Sequence, residues 1–234
     1  MDDPRLVAKL RSHFLIGPPT PGSTHQGYNL AEPDVEDTSM GQAKKIRSIL
    51  NDKRNGTFIE CGALDGEIRS NTLYFERYLD WNGLLIEADP LNFAQMMEKN
   101  RKAWLSPTCL SIKSYPEIVS FEQNQNMGKI SDNAAGIQIP GHVDVQCFPL
   151  YTYMLALNLT HVDYFSLDVE GNELDVLETI PFDKVNIETL SVEFVHVARG
   201  QDALKDFMSS KGYKIHSKVT HPNWLANDFI FVKA

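Results

Sequence analysis

With 234 residues, 42% hydrophobic and 23% charged, the chain has the size and balance of one large soluble α/β domain with a substantial core. A formal charge of −9 argues against a nucleic-acid partner, because phosphate backbones need a concentrated positive face. No run approaches the roughly 20 apolar residues of a membrane span, and no charged-then-apolar leader opens the chain. The chain as given is therefore expected to be soluble, with an anchor ahead of Met1 in a longer parent left open.

Residues 1–40 differ from the rest and read as an N-terminal arm. A short helix from about Arg5 to Phe14 precedes the breaker Pro18-Pro19-Thr-Pro21-Gly22-Ser-Thr and the acidic Glu32-Pro-Asp34-Val-Glu36-Asp37. Such an arm either lies over the domain or is partly mobile. Residues 41–234 read as one domain without internal repeats. Ile46, Ile49 and Leu50 recur at helical spacing from Met40 to Lys53, and Asn55-Gly56 closes that helix.

Strand and helix then alternate, which predicts a mostly parallel sheet with helices on both faces. Thr57 to Glu60 is the first strand, Ser70 to Leu79 a helix, and Gly83 to Glu87 the second strand. Asp89-Pro90 caps a helix running to Asn100. Cys109 to Ile112 reads as the third strand and Glu117 to Glu122 as another, while the Gly/Asn/Ser-rich Gly128 to Gly141 reads as loop. Pro149 to Leu159 is an amphipathic helix, Val162 to Asp168 the fourth core strand, and Glu173 to Thr179 a helix. Leu190 to His196 is the fifth strand. Asp202 to Lys211 is a helix stopped by Gly212, and Tyr213 to Val219 with Asp228 to Val232 form a closing pair.

Lys99, Arg101 and Lys102 are the densest basic patch and read as the solvated end of a helix. Cys61, Cys109 and Cys147 make no metal spacing and no obvious disulfide framework; one pair would leave a thiol over, and buried free thiols are expected. Asn55-Gly-Thr57 and Asn158-Leu-Thr160 are glycan acceptors in a secretory compartment, at a frequency that chance alone supplies.

The chemistry concentrates in Glu60-Cys-Gly62-Ala-Leu-Asp65-Gly66-Glu67. A strand ending in an acid, a glycine loop and a helix is the mechanical unit of nucleotide-cofactor binding, since glycines let the backbone approach the ligand. The three-glycine dinucleotide pattern is absent. Carboxylates at Glu60, Asp65 and Glu67 would repel a pyrophosphate but suit a cofactor with an amino group and a sulfonium, as in S-adenosylmethionine. Glu87, 21 positions after Gly66 at the end of the next strand, stands where a ribose partner is expected. Further on, Asp168 ends a strand ahead of Gly171 and is read as functional, whereas Glu173 is read as a first-turn carboxylate complementing a helix dipole. Glu193, in an apolar strand with His196 beyond it, is either paired inside the domain or turned to the crevice with a raised pKa.

These residues resemble the FkbM-type methyltransferase family. The matching pieces are Phe58-Ile-Glu60-Cys-Gly62-Ala-Leu-Asp65-Gly66, Leu85-Ile-Glu87-Ala-Asp89-Pro90 and Val162-Asp163-Tyr-Phe-Ser-Leu-Asp168-Val-Glu170-Gly171-Asn-Glu173 with Leu177. Ser70-Asn71-Thr72-Leu73, Asn100-Arg101-Lys102-Ala103-Trp104 and Leu105-Ser-Pro-Thr-Cys109-Leu-Ser111 are most similar to the animal Star-type branch. The resemblance implies a Rossmann-like class I methyltransferase, with a seven-stranded, mostly parallel sheet and an antiparallel last strand. It also implies S-adenosylmethionine as donor and a hydroxyl-bearing acceptor.

The expected cofactor contacts are Glu60, Gly62, Asp65, Gly66, Asn71, Glu87, Asp89, Asp168 and Gly171. Asp168 is the expected proton acceptor, with Glu170, Glu193 and His196 as competitors. Asp168, Glu170 and Glu193 could instead hold a divalent cation, but no dedicated spacing supports this and no metal ligand is assigned. The Star-type branch implies a different life: a domain of the endoplasmic reticulum, Golgi, endosome or plasma membrane that helps export growth-factor precursors, with a secretory cargo as partner and the chemistry unused. Without it, a cytoplasmic location is expected. Residues 1–40 and the loop around Ser131, Asp132 and Asn133 are the expected lids.

Overall fold

The computed structural model describes residues 1–20, 27–223 and 226–234. The Pro18 to Thr24 breaker therefore lies, from residue 21 on, outside the described residues. In chain order the strands are β1 (Thr57–Cys61), β2 (Asn82–Ile86), β3 (Trp104–Ser106), β4 (Cys109–Leu110), β5 (Glu117–Glu122), β6 (Lys129–Ile130), β7 (His142–Phe148), β8 (His161–Leu167), β9 (Asn186–Glu193), β10 (Tyr213–Thr220) and β11 (Asn227–Lys233). The helices are α1 (Pro4–His13), α2 (Gln42–Leu50), α3 (Leu73–Leu79), α4 (Pro90–Glu98), α5 (Leu150–Ala156), α6 (Glu173–Glu178) and α7 (Gly200–Ser210).

The main sheet has seven strands in the order β10-β11-β9-β8-β1-β2-β3. β11 runs antiparallel to both neighbours and the other pairings are parallel, as expected for a Rossmann-like methyltransferase. The central strands are apolar on both faces because helices cover both. Phe58, Leu85 and Tyr164 pack in one core with α2, α3 and α4. Their neighbours Ile59, Leu84, Ile86, Phe165 and Leu167 pack in another with α1, α5, α6 and α7. Asp89 caps α4 through a 2.8 Å bond from the Leu91 N–H, with Pro90 next. The chain reverses direction across the sheet at β1, which lies between β2 and β8, so a crevice opens at the carboxyl ends of those three strands.

Two readings of the middle of the chain are corrected. The third strand of the main sheet is Trp104–Ser106, paired with β2, rather than Cys109 to Ile112. Pro107 ends it, and Cys109–Leu110 crosses to a second sheet of order β4-β7-β5-β6. That sheet includes the unanticipated β7, whose Val143, Val145 and Cys147 face Cys109, Val119 and Phe121 in a small core of their own. The cysteines are also corrected: Cys109 and Cys147, register partners on β4 and β7, form a disulfide with Cα atoms 4.3 Å apart, and Cys61 is the buried free thiol.

The described part of the arm lies over the domain. Leu10 is fully enclosed in the core and Ile16 bridges Leu105. Farther on, the Ala31 and Glu32 N–H groups donate to Glu67 at 2.8 and 2.7 Å, and the Thr38 hydroxyl donates to the Ser70 carbonyl at 2.9 Å. No helix among the described residues is long and apolar enough to cross a membrane.

Candidate functional site

The crevice is a cavity of about 1030 Å³, its mouth included. Glu60 to Leu64 at the end of β1, Ile86 to Ala88 at the end of β2 and Asp168 to Glu170 after β8 form its floor, and Leu110, Phe121 and Ile130 of the second sheet form an apolar wall. Gln125, Asn126 and Gly128 close one side and Met40 and Gln42 another; of the expected lid residues, Ser131, Asp132 and Asn133 do not reach it. Leu64, Arg69 and Glu170 line the cavity with φ of +51°, +57° and +56°, a left-handed backbone that side chains normally avoid and that gathers at ligand sites.

Gly62 is where β1 and β8 meet most closely. Its φ is +81°, and a Cβ there would lie 2.0 Å from the Asp168 carbonyl oxygen, so no other residue fits without parting the strands. Glu60, just before it, is buried and spends both oxygens on the next loop. It accepts from the Asn71 N–H at 2.7 Å, from the Ser70 hydroxyl at 2.9 Å and from the Thr72 hydroxyl. Its role is therefore to aim Asn71, whose amide nitrogen donates to Ser166 at 2.9 Å and whose oxygen is left enclosed and unbonded. Glu87 accepts from Leu64 N–H and Asp89 N–H, each at 2.8 Å, and lines the cavity with burial pushing its pKa up to about 7.

The inner end is acidic. Asp168 lines the cavity, and its Oδ1 is enclosed without a hydrogen bond. Burial pushes it up to about 6. Behind it, Glu173 accepts from the N–H groups of Val169 (2.9 Å) and Gly171 (3.1 Å), so it fastens the Asp168 loop as well as opening α6. Glu193 accepts from Val195 N–H at 2.8 Å and His196 N–H at 3.2 Å. Burial and the neighbouring carboxylates push both Glu173 and Glu193 up to about 8. Glu170 lines the cavity, is raised to about 8 by burial and nearby acids, and meets His196 Nδ1 at 2.7 Å. Asp228, raised to about 7 by burial and Asp168, accepts from the Gln42 amide nitrogen at 2.8 Å.

Several expected site residues stand behind the cavity wall. Asp65 accepts from Glu67 N–H and Ile68 N–H, shaping the loop; Gly66 faces Met96; Asp89 caps α4; Gly171 faces the His196 carbonyl. Glu193 and His196 reach the site through Asp168 and Glu170. The basic patch is corrected too. Arg101 is fully buried, 3.1 Å from Glu76, and donates to the Gly66 carbonyl and to Ser70 and Thr72, while Lys99 pairs with Glu67 at 2.7 Å and Asp65 at 3.4 Å. Asp65 and Glu67 are thus neutralised away from the cavity, so the repulsion of a pyrophosphate expected of them falls away, and the acids on the floor are Glu60, Glu87, Asp168 and Glu170.

Residues 60–215, more than half of the chain, match the family model of the methyltransferase FkbM domain. The chain belongs to this family. S-adenosylmethionine is its cofactor. No curated protein matches the sequence. Solved structures of similar shape include the magnesium protoporphyrin IX methyltransferase of Synechocystis with bound S-adenosylmethionine (9% identity, TM-score 0.46, covering 90% of this chain and 88% of that one). A TehB-like S-adenosylmethionine-dependent methyltransferase of Corynebacterium glutamicum aligns at 13% identity and TM-score 0.43, over 83% of this chain and 88% of that one. A putative RNA methyltransferase of Pyrococcus horikoshii aligns at 11% and 0.43, over 99% and 100%.

The residues of this FkbM domain fit the cofactor. Two enclosed amide oxygens on the cavity lack donors, those of Gln42 and Asn71, and an ammonium group carries donors for both. Glu87 keeps lone pairs for ribose hydroxyls, and the Leu110–Phe121–Ile130 wall suits a flat base. Gln42 and Arg69 were missed in the sequence. Gln42 opens α2, far from any glycine motif, and reaches the site only because that helix leans over the end of β11.

Proposed function

We propose that the chain transfers a methyl group from S-adenosylmethionine to a hydroxyl oxygen. The observation that carries this reading is the position of Asp168: it directly follows β8 on the wall of the cavity that Glu87 also lines, with an oxygen that nothing in the described chain satisfies. When bound, the cofactor supplies an electrophilic methyl on a sulfonium. The chain's own task is then to hold acceptor and donor in line and to receive the hydroxyl proton. Glu87 would take the ribose and Asn71 and Gln42 the amino-acid end. Asp168 and Glu170 are the members of the acidic group that line the cavity, and one of them takes the proton; His196 Nδ1, 2.7 Å from Glu170, holds that carboxyl in place.

Calorimetry with S-adenosylmethionine and its demethylated product tests the cofactor residues. Binding by the wild type and weakening in Glu87→Ala are expected; equal binding by both would remove Glu87 from the site. Transfer of a labelled methyl across a panel of alcohols, sugars and peptides, lost in Asp168→Asn or Glu170→Gln, tests the chemistry.

The Cys109–Cys147 disulfide favours a second reading, since such bonds persist in oxidising compartments. In it, the domain works in the secretory pathway as a Star-type cargo-binding module that holds the cofactor without spending it. Binding without transfer to any acceptor class would favour that reading.

A further inference from the structure

The carboxylates at the inner end of the cavity stand together without a cation. Some buried acids of this chain have one: Glu76 has Arg101 at 3.1 Å, Asp163 has Lys53 at 2.5 Å and Glu67 has Lys99 at 2.7 Å, while Glu60 and Glu87 stand singly on hydrogen-bond donors. Asp168, Glu173 and Glu193 each place an oxygen within 4.8 Å of the others, and no lysine or arginine among the described residues forms an ion pair with any of them. The one imidazole nearby, His196 Nδ1, is 3.7 Å from Glu193 and is already engaged with Glu170 at 2.7 Å. Three carboxylates gathered this closely away from water either hold protons or have something positive among them.

Two further observations point to a ligand. Asp168 Oδ1 is enclosed with no hydrogen bond at all. Gln42, 5% exposed, has its amide nitrogen on Asp228, the register partner of Glu193, while its own oxygen is enclosed beside the same cavity without a donor. Meanwhile Glu173 and Glu193 are pinned by backbone N–H groups, so their positions do not depend on a cation while lone pairs stay open.

We propose that Asp168, Glu173 and Glu193 bind one divalent cation of the hard, oxygen-seeking kind, such as magnesium, manganese or calcium. An all-carboxylate donor set selects these ions over zinc or copper. Glu173 replaces Glu170 in the set expected from the sequence, because Glu170 is turned to His196. Resting on the hydroxyl-transfer reading, the ion also has work to do. Asp168 is the one ligand on the cavity wall, so an acceptor oxygen can complete the coordination there and lose its proton more easily. Glu170, with His196, is then the proton acceptor.

Mn²⁺ titration of the purified chain, followed by electron paramagnetic resonance and calorimetry, reads this directly. One Mn²⁺ per chain is expected, displaced by excess Mg²⁺ or Ca²⁺ and weakened at least about tenfold in Glu173→Gln/Glu193→Gln. The paired substitution removes buried like charges, so it should fold, and circular dichroism with urea unfolding, measured alongside, separates loss of the ion from loss of the fold. Absence of Mn²⁺ binding by the wild type, or equal binding by the paired variant, overturns the proposal. Mn²⁺ binding without S-adenosylmethionine binding would support the cation site and sink the transferase reading, so the two failures are distinct.

Discussion

Glu87 has a backbone donor on each oxygen and still sits with its pKa at about 7, against an ordinary 4.5, because burial outweighs those two bonds. Between those values the folded chain holds a proton that the unfolded chain has released, so stability from this group falls as pH rises through the window and is flat above it. Glu87→Gln should therefore stabilise the cofactor-free chain by up to about 3 kcal/mol at pH 8 and by little at pH 4.5, checked by urea unfolding at both values. The same residue predicts S-adenosylmethionine affinity that weakens below about pH 7, as protonation removes an acceptor for the ribose. A flat calorimetric profile from pH 6 to 8 would contradict it. Glu87 was legible in the sequence because strand and loop lengths set its distance from the glycines. Arg101 was not. A buried arginine leaves the same trace as a solvated one, and only the fold brings Glu76, Gly66, Ser70 and Thr72 around it.

At the scale of elements, the second sheet is the part of the fold that periodicity underdescribed. Val143, Val145 and Cys147 alternate with Asp144 and Gln146 as a half-buried strand should, so β7 was readable. The partner of the Cys109 segment was not, because a short apolar run carries no record of which sheet it joins. The consequence is substantial, since β4, β5 and β6 supply the apolar wall of the cavity and the disulfide ties the base of that wall across a 38-residue separation. Closing a loop of that length is worth about 4 kcal/mol in the chain-entropy account. Cys109→Ser/Cys147→Ser should lower the urea midpoint accordingly and weaken S-adenosylmethionine binding. Reductant should do the same to the wild type and leave the double variant unchanged. A variant as stable as the wild type would refute the tie.

Over the whole molecule, alternation of strand and helix conveyed a mostly parallel sheet covered on both faces, while its seven strands and reversed last strand were what the family resemblance implied. The extent of the arm's engagement was not conveyed: Glu67 and Ser70 accept its N–H and hydroxyl groups from positions with no periodic signal. The two sequons gain meaning from the fold and the disulfide together. Asn55 and Asn158 are both exposed with left-handed backbone, and disulfides in general persist in the compartments where glycans are added. Expressed through a secretory pathway, the chain should carry glycans at both sites. Endoglycosidase treatment should then shift its electrophoretic mobility in two steps, and Thr57→Ala and Thr160→Ala should each remove one. An unshifted band from secreted protein would refute this.

The contact between Gly62 and the Asp168 carbonyl also has a meaning in time. The glycine loop leaves the ribosome early, but the strand that closes on it, and the acid that completes its wall, are translated only after the whole second sheet. Until then β1 has β2 on one side and nothing on the other. A chain assembled from contacts so distant in sequence folds slowly and late. The cofactor site thus matures only once β8 has been made, and a nascent chain stalled anywhere before residue 168 carries the recognisable motif with its wall incomplete.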